Sequence, residues 1–406
     1  MAVIRNCRIS RLIQQRQMAN QQFRAVQRRG QKPTQLFDAR RLDMKLRYSS
    51  AAKLFSILST LLLSLAVSAQ DLGGGMWHTL KNGQNPWAPF VDVRGEAGYP
   101  AQFVDVSIAE DPNGYLHVLG SGYDGSLWHT IRYPNGYWLQ FDDVTADTGQ
   151  PGHIDAIATA FSGNTLHLVV QSYGRLWYAA RKANAAWTKF QAVAPAWKPE
   201  VVGLMDADSA GLMDAEAALP YFRDISISAN QNGEIHILAV AGDGNLLHTS
   251  RQTNGGWEKF ENVSTQAGLG DGGAVASAFI GNELHVILGT NLEGKLMYTA
   301  RDRNDGWSKF IDVMPEFPGK MGDVSIVGDE VSGDLHVVAI AREAVFDHAP
   351  PYDGPWYVTR SGADGKWSFF SDVGAEAGFA GCLGALSAAM VADNLHVTTV
   401  TVPCLE

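Results

Sequence analysis

From residue 76 onward the chain is built of short runs in which apolar and polar residues alternate, separated by Asn-Gly and Asp-Gly pairs. A period of two marks a strand with one buried face, whereas a helix would repeat its apolar positions every three to four residues. LWHTIRYPNGYWLQFDDV, residues 127–144, holds two such runs around Asn135-Gly136. The pattern returns as MWHTLKNGQNPWAPFVDV (76–93), LWYAARKANAAWTKFQAV (176–193), LLHTSRQTNGGWEKFENV (246–263), LMYTARDRNDGWSKFIDV (296–313) and WYVTRSGADGKWSFFSDV (356–373). The later Trp falls at 87, 138, 187, 257, 307 and 367, so the period is near 50 residues, with insertions in two repeats.

A second signature, apolar-His-apolar, also occurs six times, at His117, His167, His236, His285, His336 and His396, each preceded by a run rich in Ala and Ser. Each repeat therefore reads as four strands: A (small residues), B (Leu-His-Val), C (Leu-Trp-His-Thr) and D (Trp-x-x-Phe). Asn113-Gly114 separates A from B, Asp124-Gly125 B from C, and Asn135-Gly136 C from D. These dipeptides suit two-residue hairpins because both turn positions need positive φ. Four strands joined by tight turns describe a propeller blade, with the small residues of A crowding the axis. The repeats open with C and D and finish with A and B. The predicted fold is an all-β, six-bladed propeller closed by C-terminal strands A and B pairing with N-terminal strands C and D.

Residues repeated in every blade belong first to packing. The six late Trp, each with a Phe three residues on, are expected to fill gaps between blades. The six His lie one per blade without His-x-x-x-His or Cys-x-x-Cys spacing, so they are expected to be hydrogen-bonded core residues, and no metal or other cofactor is expected. Strand C offers more variation. Its early aromatic is Trp77, Trp128 or Trp177 in three copies and is displaced to Trp356 in the last, but it is Leu247 and Met297 elsewhere. Such variation fits strong and weak binding positions, and it fits relaxed packing equally. Arg132 and Arg181 stand on the same strand face as these Trp and are candidates either for ligand contact or for bonding between blades.

Strand parity places the B–C turns and the D–A links on one side of the disc, and both insertions, 194–221 and 341–354, fall on that side. The links share an acidic or amide residue before a Gly: Glu96 with Tyr99, Asp147, and Glu376 with Phe379. Carboxylates that hydrogen-bond hydroxyls beside a ring that covers a C–H face suit a sugar; a polar loop with Gly supplying positive φ suits the same residues.

At Asp124-Gly-Ser-Leu-Trp-His-Thr-Ile-Arg132, followed by Trp-x-x-Phe-x-Asp-Val, Gly-x-Pro-Gly and Leu-His-Leu, the chain resembles the bacterial propeller lectins of the Photorhabdus lectin type. The resemblance spans about 76–402 and is strongest at 123–168. It implies a non-catalytic disc binding fucose or related sugars at several sites, often between blades, with glycans or glycoconjugates as partners and oligomers open. The chain departs from that family in having six repeats rather than the usual seven, and in its two insertions.

Charge narrows the partner. Of 32 Lys and Arg and 42 Asp and Glu, residues 1–69 hold 13 and two, which leaves residues 70–406 with a net charge of −21. So acidic a body repels nucleic acid and anionic membrane surfaces. Residues 44–69 read as a signal peptide, with a basic start, an apolar run from Leu54 to Ala66 too short to span a membrane, and small residues before cleavage after Ala69. A secreted or periplasmic protein of residues 70–406 is expected. Residues 1–43 read as an upstream extension, with translation from Met44, or as an organelle presequence. Cys382 and Cys404 are expected to form one disulfide across a C-terminal hairpin. Two other functions remain open: a propeller glycosidase using Asp206, Asp208, Asp214, Glu216, Asp347, His348 or Asp353 of the insertions, and a protein-interaction scaffold.

Overall fold

The computed structural model describes residues 73–193, 221–313, 317, 319–342, 354–378 and 381–403, within the unit Gln70–Glu406. Their strands form six four-stranded antiparallel sheets arranged as a six-bladed β-propeller. Blade 6 joins the two ends of the repeat array: β23 (Cys382–Val391) and β24 (Asn394–Val402) continue into β1 (Met76–Asn82) and β2 (Val91–Asp92). The pairing runs from Met76 opposite Val400 to Asn82 opposite Asn394, which is the closure the sequence predicts. Blade 1 is β3 (Phe103–Glu110), β4 (Leu116–Gly122), β5 (Leu127–Arg132) and β6 (Asp142–Asp143); blade 2 is β7 (Ala156–Ser162), β8 (Thr165–Ser172), β9 (Arg175–Arg181) and β10 (Gln191–Ala192). Blade 3 holds β11 (Phe222–Ala229) to β14 (Glu261–Asn262), blade 4 β15 (Gly272–Ile280) to β18 (Ile311–Asp312), and blade 5 β19 (Lys320–Gly328) to β22 (Ser371–Asp372).

The outermost strand differs from the sequence reading. Arg132 bridges Trp138, while Trp128 pairs with Asp143. Strand D takes five steps where C takes four, so each D strand carries one extra residue, a bulge that breaks the ladder and leaves a two-residue strand. The same offset separates Arg181–Trp187 from Trp177–Ala192 and Arg301–Trp307 from Met297–Asp312. Beyond it, four of the D–A links begin as one-turn helices: α1 (Val93–Ala97), α2 (Val144–Thr148), α3 (Val263–Ala267) and α4 (Val373–Ala377). The residue before Val is their N-cap, Asp92, Asp143 and Asp372 in three and Asn262 in α3, as Asp143 shows by accepting the Thr145 and Ala146 N–H groups, and a Gly of positive φ ends each. That residue satisfies donors the first turn leaves open.

The apolar core lies in the seams between blades, one cluster to each. Leu119, Leu127 and Val144 of blade 1 meet Ile157, Leu166 and Leu168 of blade 2, for example. Each fully buried side chain of this kind stabilises the fold by roughly 1.5–3 kcal/mol. Every seam also holds the same aromatic contact. The D-strand Trp packs edge-on against the C-strand ring of the preceding blade: Trp138 on His78, Trp187 on His129, Trp257 on Tyr178, Trp307 on His248, Trp367 on Tyr298 and Trp87 on Tyr357. That C-strand ring is in turn hydrogen-bonded to the strand-B His of its own blade, His117 to His129 at 3.0 Å and His167 to the Tyr178 hydroxyl at 2.7 Å. Late Trp and strand-B His are thus structural, as the sequence predicts.

Candidate functional site

Strands A line the axis with the expected small residues, and also with three carboxylates that the sequence reading passed over. Asp105, Asp224 and Asp323 of blades 1, 3 and 5 line a cavity of about 90 Å³ where blades 2, 4 and 6 present Ile157, Val275 and Leu386. A register shift precedes or includes each Asp, turning it toward the neighbouring blade. Asp105 accepts the N–H of Ile157 at 2.8 Å, Asp224 that of Val275 at 2.7 Å and Asp323 that of Leu386 at 2.8 Å, so each clamps the next blade. Enclosure pushes the Asp105 carboxyl up to about 7 and Asp323 to about 6. The sequence carried a signal: Asp-Val-Ser or Asp-Ile-Ser occurs in these three A strands.

The seam between blades 1 and 2 is open on both faces of the disc. On the face of the B–C turns and D–A links, Tyr123, Asp124, Gln150, Gly152, His153 and Tyr173 line a pocket of about 410 Å³. Tyr123 and Tyr173, from the B–C turns of neighbouring blades, are 75% and 70% exposed and line the same pocket. Tyr173 has a φ of +49°, a conformation that costs a non-glycine residue roughly 1–2 kcal/mol. Its ring lies against Gly152, where a Cβ would come within 2.3 Å of Cε2. Ser126 donates to the Asp124 carboxylate through Oγ at 2.5 Å and N–H at 3.1 Å, and these bonds hold that carboxyl below its usual range. Trp128 Nε1 donates to Ser126 Oγ at 2.8 Å, so this Trp braces the pocket from behind. Gln150 Nε2 donates to the Gly125 carbonyl at 3.2 Å.

On the opposite face, Asp111, Asn113, Tyr115, His117, Tyr133, Asn164, Arg181 and Lys182 are among the residues lining a pocket of about 450 Å³. Tyr115 and Tyr133 meet edge-to-face at 4.9 Å. Burial pushes His117 down to about 4, with the Arg181 charge adding to the effect.

The residues chosen from sequence are not gathered at one place. Trp77, Trp128 and Trp177 are half-buried and pack on the seam clusters, and Trp356 is half-buried opposite Asp372. The guanidinium of Arg132 lies 6.0 Å from the centre of Trp138. Glu96, Asp147 and Glu376 are exposed in helices of three separate links, α1, α2 and α4. Tyr99 is exposed on the first of these links, its hydroxyl donating to Asp92 at 3.2 Å. Phe379, Cys404 and the acids of both insertions lie outside the described residues. The pocket lies on the side of the disc that the sequence reading singled out, but Tyr123, Gln150, His153 and Tyr173 were not among the residues it chose. A tyrosine in two consecutive B–C turns was the available cue.

No family model matches the chain, and no curated protein matches it. Among solved structures it is similar to the BP39L lectin from Burkholderia pseudomallei, at 16% identity and a TM-score of 0.50 over 82% of this chain and 95% of that one. It is similar also to AofleA from Arthrobotrys oligospora, at 13% identity and a TM-score of 0.49 over 79% and 81%. A third is the six-bladed Aleuria aurantia lectin, reported with a novel fucose recognition mode, at 10% and 0.44 over 71% and 87%. At 16% identity the first likeness establishes the fold alone, and the other two add no argument.

Proposed function

We propose that the protein is a non-catalytic, multivalent carbohydrate-binding propeller, exported after removal of residues 44–69 and braced by a Cys382–Cys404 disulfide. The observation that carries this reading is the pocket between Tyr123 and Tyr173. A pyranose presents a flat C–H face and a rim of hydroxyls. Two exposed rings can cover the former, while the Asp124 carboxylate, the Gln150 amide and the His153 imidazole lie within the same pocket to meet the latter. The lectin fold of the Burkholderia pseudomallei protein agrees with it. Fucose or a related neutral sugar is the expected ligand, and several weak sites on one rigid disc would gain avidity on a glycan-coated surface.

A glycan array of the protein, followed by titration of its best ligand, tests this. Tyr123→Ala and Tyr173→Ala should each weaken binding about tenfold, as the loss of one aromatic platform. An array without signal, or a ligand indifferent to both substitutions, refutes the assignment.

A further inference from the structure

Six blades place a cation at the end of strand C: Lys81, Arg132, Arg181, Arg251, Arg301 and Arg360. Five are occupied within the protein. Lys81 donates to the Asn85 carbonyl at 2.9 Å and lies over Trp87 and Tyr357. Arg132 lies over Trp138, Arg251 over Tyr178 and Trp257, and Arg360 over Tyr298. Arg301 pairs with Asp305 at 2.9 Å. Among the described residues the Arg181 side chain makes no hydrogen bond, close ion pair or ring contact, though it feels the charges of Asp142 and Asp111; it is half-buried and faces the pocket of about 450 Å³. A guanidinium that is half-buried in a pocket wall and makes no bond inside the protein can receive a ligand, and a carboxylate is the group that its fork of N–H donors matches.

The rest of the pocket selects the same chemistry. Lys182 adds a second cation at the rim. The acid beside them, Asp111, is engaged by its own turn: one oxygen accepts the N–H groups of Asn113 and Tyr115 at 2.9 Å each, and the other accepts the Asn113 amide at 3.3 Å. The body's net negative charge is screened within about 8 Å at physiological salt, so the local charges matter most: Arg181 and Lys182 in the lining, with Asp142 and Asp111 acting on Arg181 from beside it. Tyr115 and Tyr133 supply ring surface, and Asn164 supplies amide donors and acceptors.

We propose that this pocket, on the face opposite Tyr123 and Tyr173, binds a carboxylate-bearing sugar, with Arg181 taking the carboxylate and the tyrosines taking the ring. The sugar part rests on the carbohydrate reading above, but the pocket is separate. Titration of the whole protein with methyl glucuronide and methyl glucoside tests the proposal. The glucuronide should bind and the glucoside should be at least about tenfold weaker. Arg181→Gln should weaken the glucuronide about tenfold, and Arg181→Lys, which keeps charge but loses the fork, by less. Tyr133→Ala should weaken it severalfold, which keeps the test available if the Arg181 variants fold poorly. Equal binding of the two glycosides, a glucuronide unaffected by Arg181→Gln, or displacement by an equal concentration of acetate overturns the proposal. Tyr123→Ala should leave the glucuronide untouched. A neutral glycan that binds through Tyr123 while glucuronide fails removes this inference and leaves the proposed function standing; the converse removes the Tyr123 pocket instead.

Discussion

Seams 1/2 and 3/4 are built on the same strands and the same ring contact, yet one is open and the other tied shut. In seam 3/4 Glu261 lies opposite His248 and accepts from its Nδ1 at 2.7 Å and from Trp307 Nε1 at 3.1 Å, with Arg301 Nε 3.7 Å away. Partial burial alone would raise the Glu261 carboxyl, but the bonds from His248, Trp307 and Gln266 outweigh it and hold the group down at about 2. In seam 1/2 the same ladder position is Asp142, opposite His129 and one methylene shorter. Its side chain makes no hydrogen bond or close ion pair among the described residues, and only its charge reaches Arg181. The second anchor is missing too, because Ala185 stands where Asp305 holds Arg301; both residues occupy the same turn position, with φ of +67° and +68°. Two small side-chain differences separate the cross-linked seam from the one that keeps an open pocket, on the same backbone design.

The largest test of the comparison is acid. Burial depresses the strand-B imidazoles: His117, His167, His285 and His396 to about 4 and His236 to about 3. These groups are neutral in both states above pH 6.5, so their stabilisation is intact there. Between about 6.5 and 4 the unfolded chain takes up protons that the folded ring refuses, and stability falls. Each contributes about 3 kcal/mol at most, so together they approach the whole net stability of a typical domain. The axial Asp105, Asp224 and Asp323 act oppositely: burial raises all three, Asp105 to about 7 and Asp323 to about 6, so they favour the folded state as pH falls through their raised values, but they are fewer. Unfolding followed by Trp fluorescence should therefore be easiest toward pH 4. Hydrogen exchange should show seam 3/4, where Glu261 opposes the desolvation of His248, opening after seam 1/2. Stability that is flat or rising below pH 6 contradicts the account.

Next in size is the cross-link itself. Glu261→Gln removes the charge from three hydrogen bonds and should cost about 2 kcal/mol at pH 7, with the acid midpoint moving upward. Asp142→Asn, at the matched position with no hydrogen bond to lose and only a distant charge interaction with Arg181, should cost under about 0.5 kcal/mol. Equal thermal shifts for the two would show that the seams do not differ energetically. In the other direction, Ala185→Asp supplies Arg181 with the partner that Asp305 gives Arg301. Methyl glucuronide binding should then fall about tenfold while stability changes by less than about 0.5 kcal/mol, the usual scale of an exposed ion pair.

The propeller was legible in the sequence because its causes are local and repeated six times. Alternation, Asn-Gly turns and the Trp spacing each state the blade anew, and the split of blade 6 follows from which strands begin and end the array. The D-strand bulge was not legible, since Trp-x-x-Phe alternates plausibly whether or not one residue is extra; only pairing against Arg132 and Trp128 reveals it. Function fared differently. A repeated residue announces packing, while a site arises where the repeat fails, and failure is ambiguous in one dimension. Arg181 looks like its five counterparts until its side chain is seen to lack the ring, carbonyl or carboxylate contact that each of them makes. Trp128 looked like a contact but braces Ser126 and Asp124 behind the pocket. Tyr123 and Tyr173 are separated by 50 residues, and only the ring brings them to one seam.

The smallest test isolates the turn that distinguishes the two seams. Ala185 and Asp305 both hold a left-handed conformation that a Cβ disfavours, by roughly 0.5 kcal/mol net of the extra freedom glycine gains when unfolded. Ala185→Gly relieves that strain and removes nothing else, so it should stabilise the protein by about 0.5 kcal/mol. Asp305→Gly relieves the same strain but also releases Arg301, whose remaining neighbour is Glu261 at 3.7 Å. The two effects offset, and the variant should be neutral or slightly destabilised. Opposite signs in paired thermal melts locate the difference between the seams in the side chain at this position. The same gain from both substitutions would mean that the Arg301–Asp305 pair contributes nothing, and would leave Glu261 as the sole cause of the closed seam.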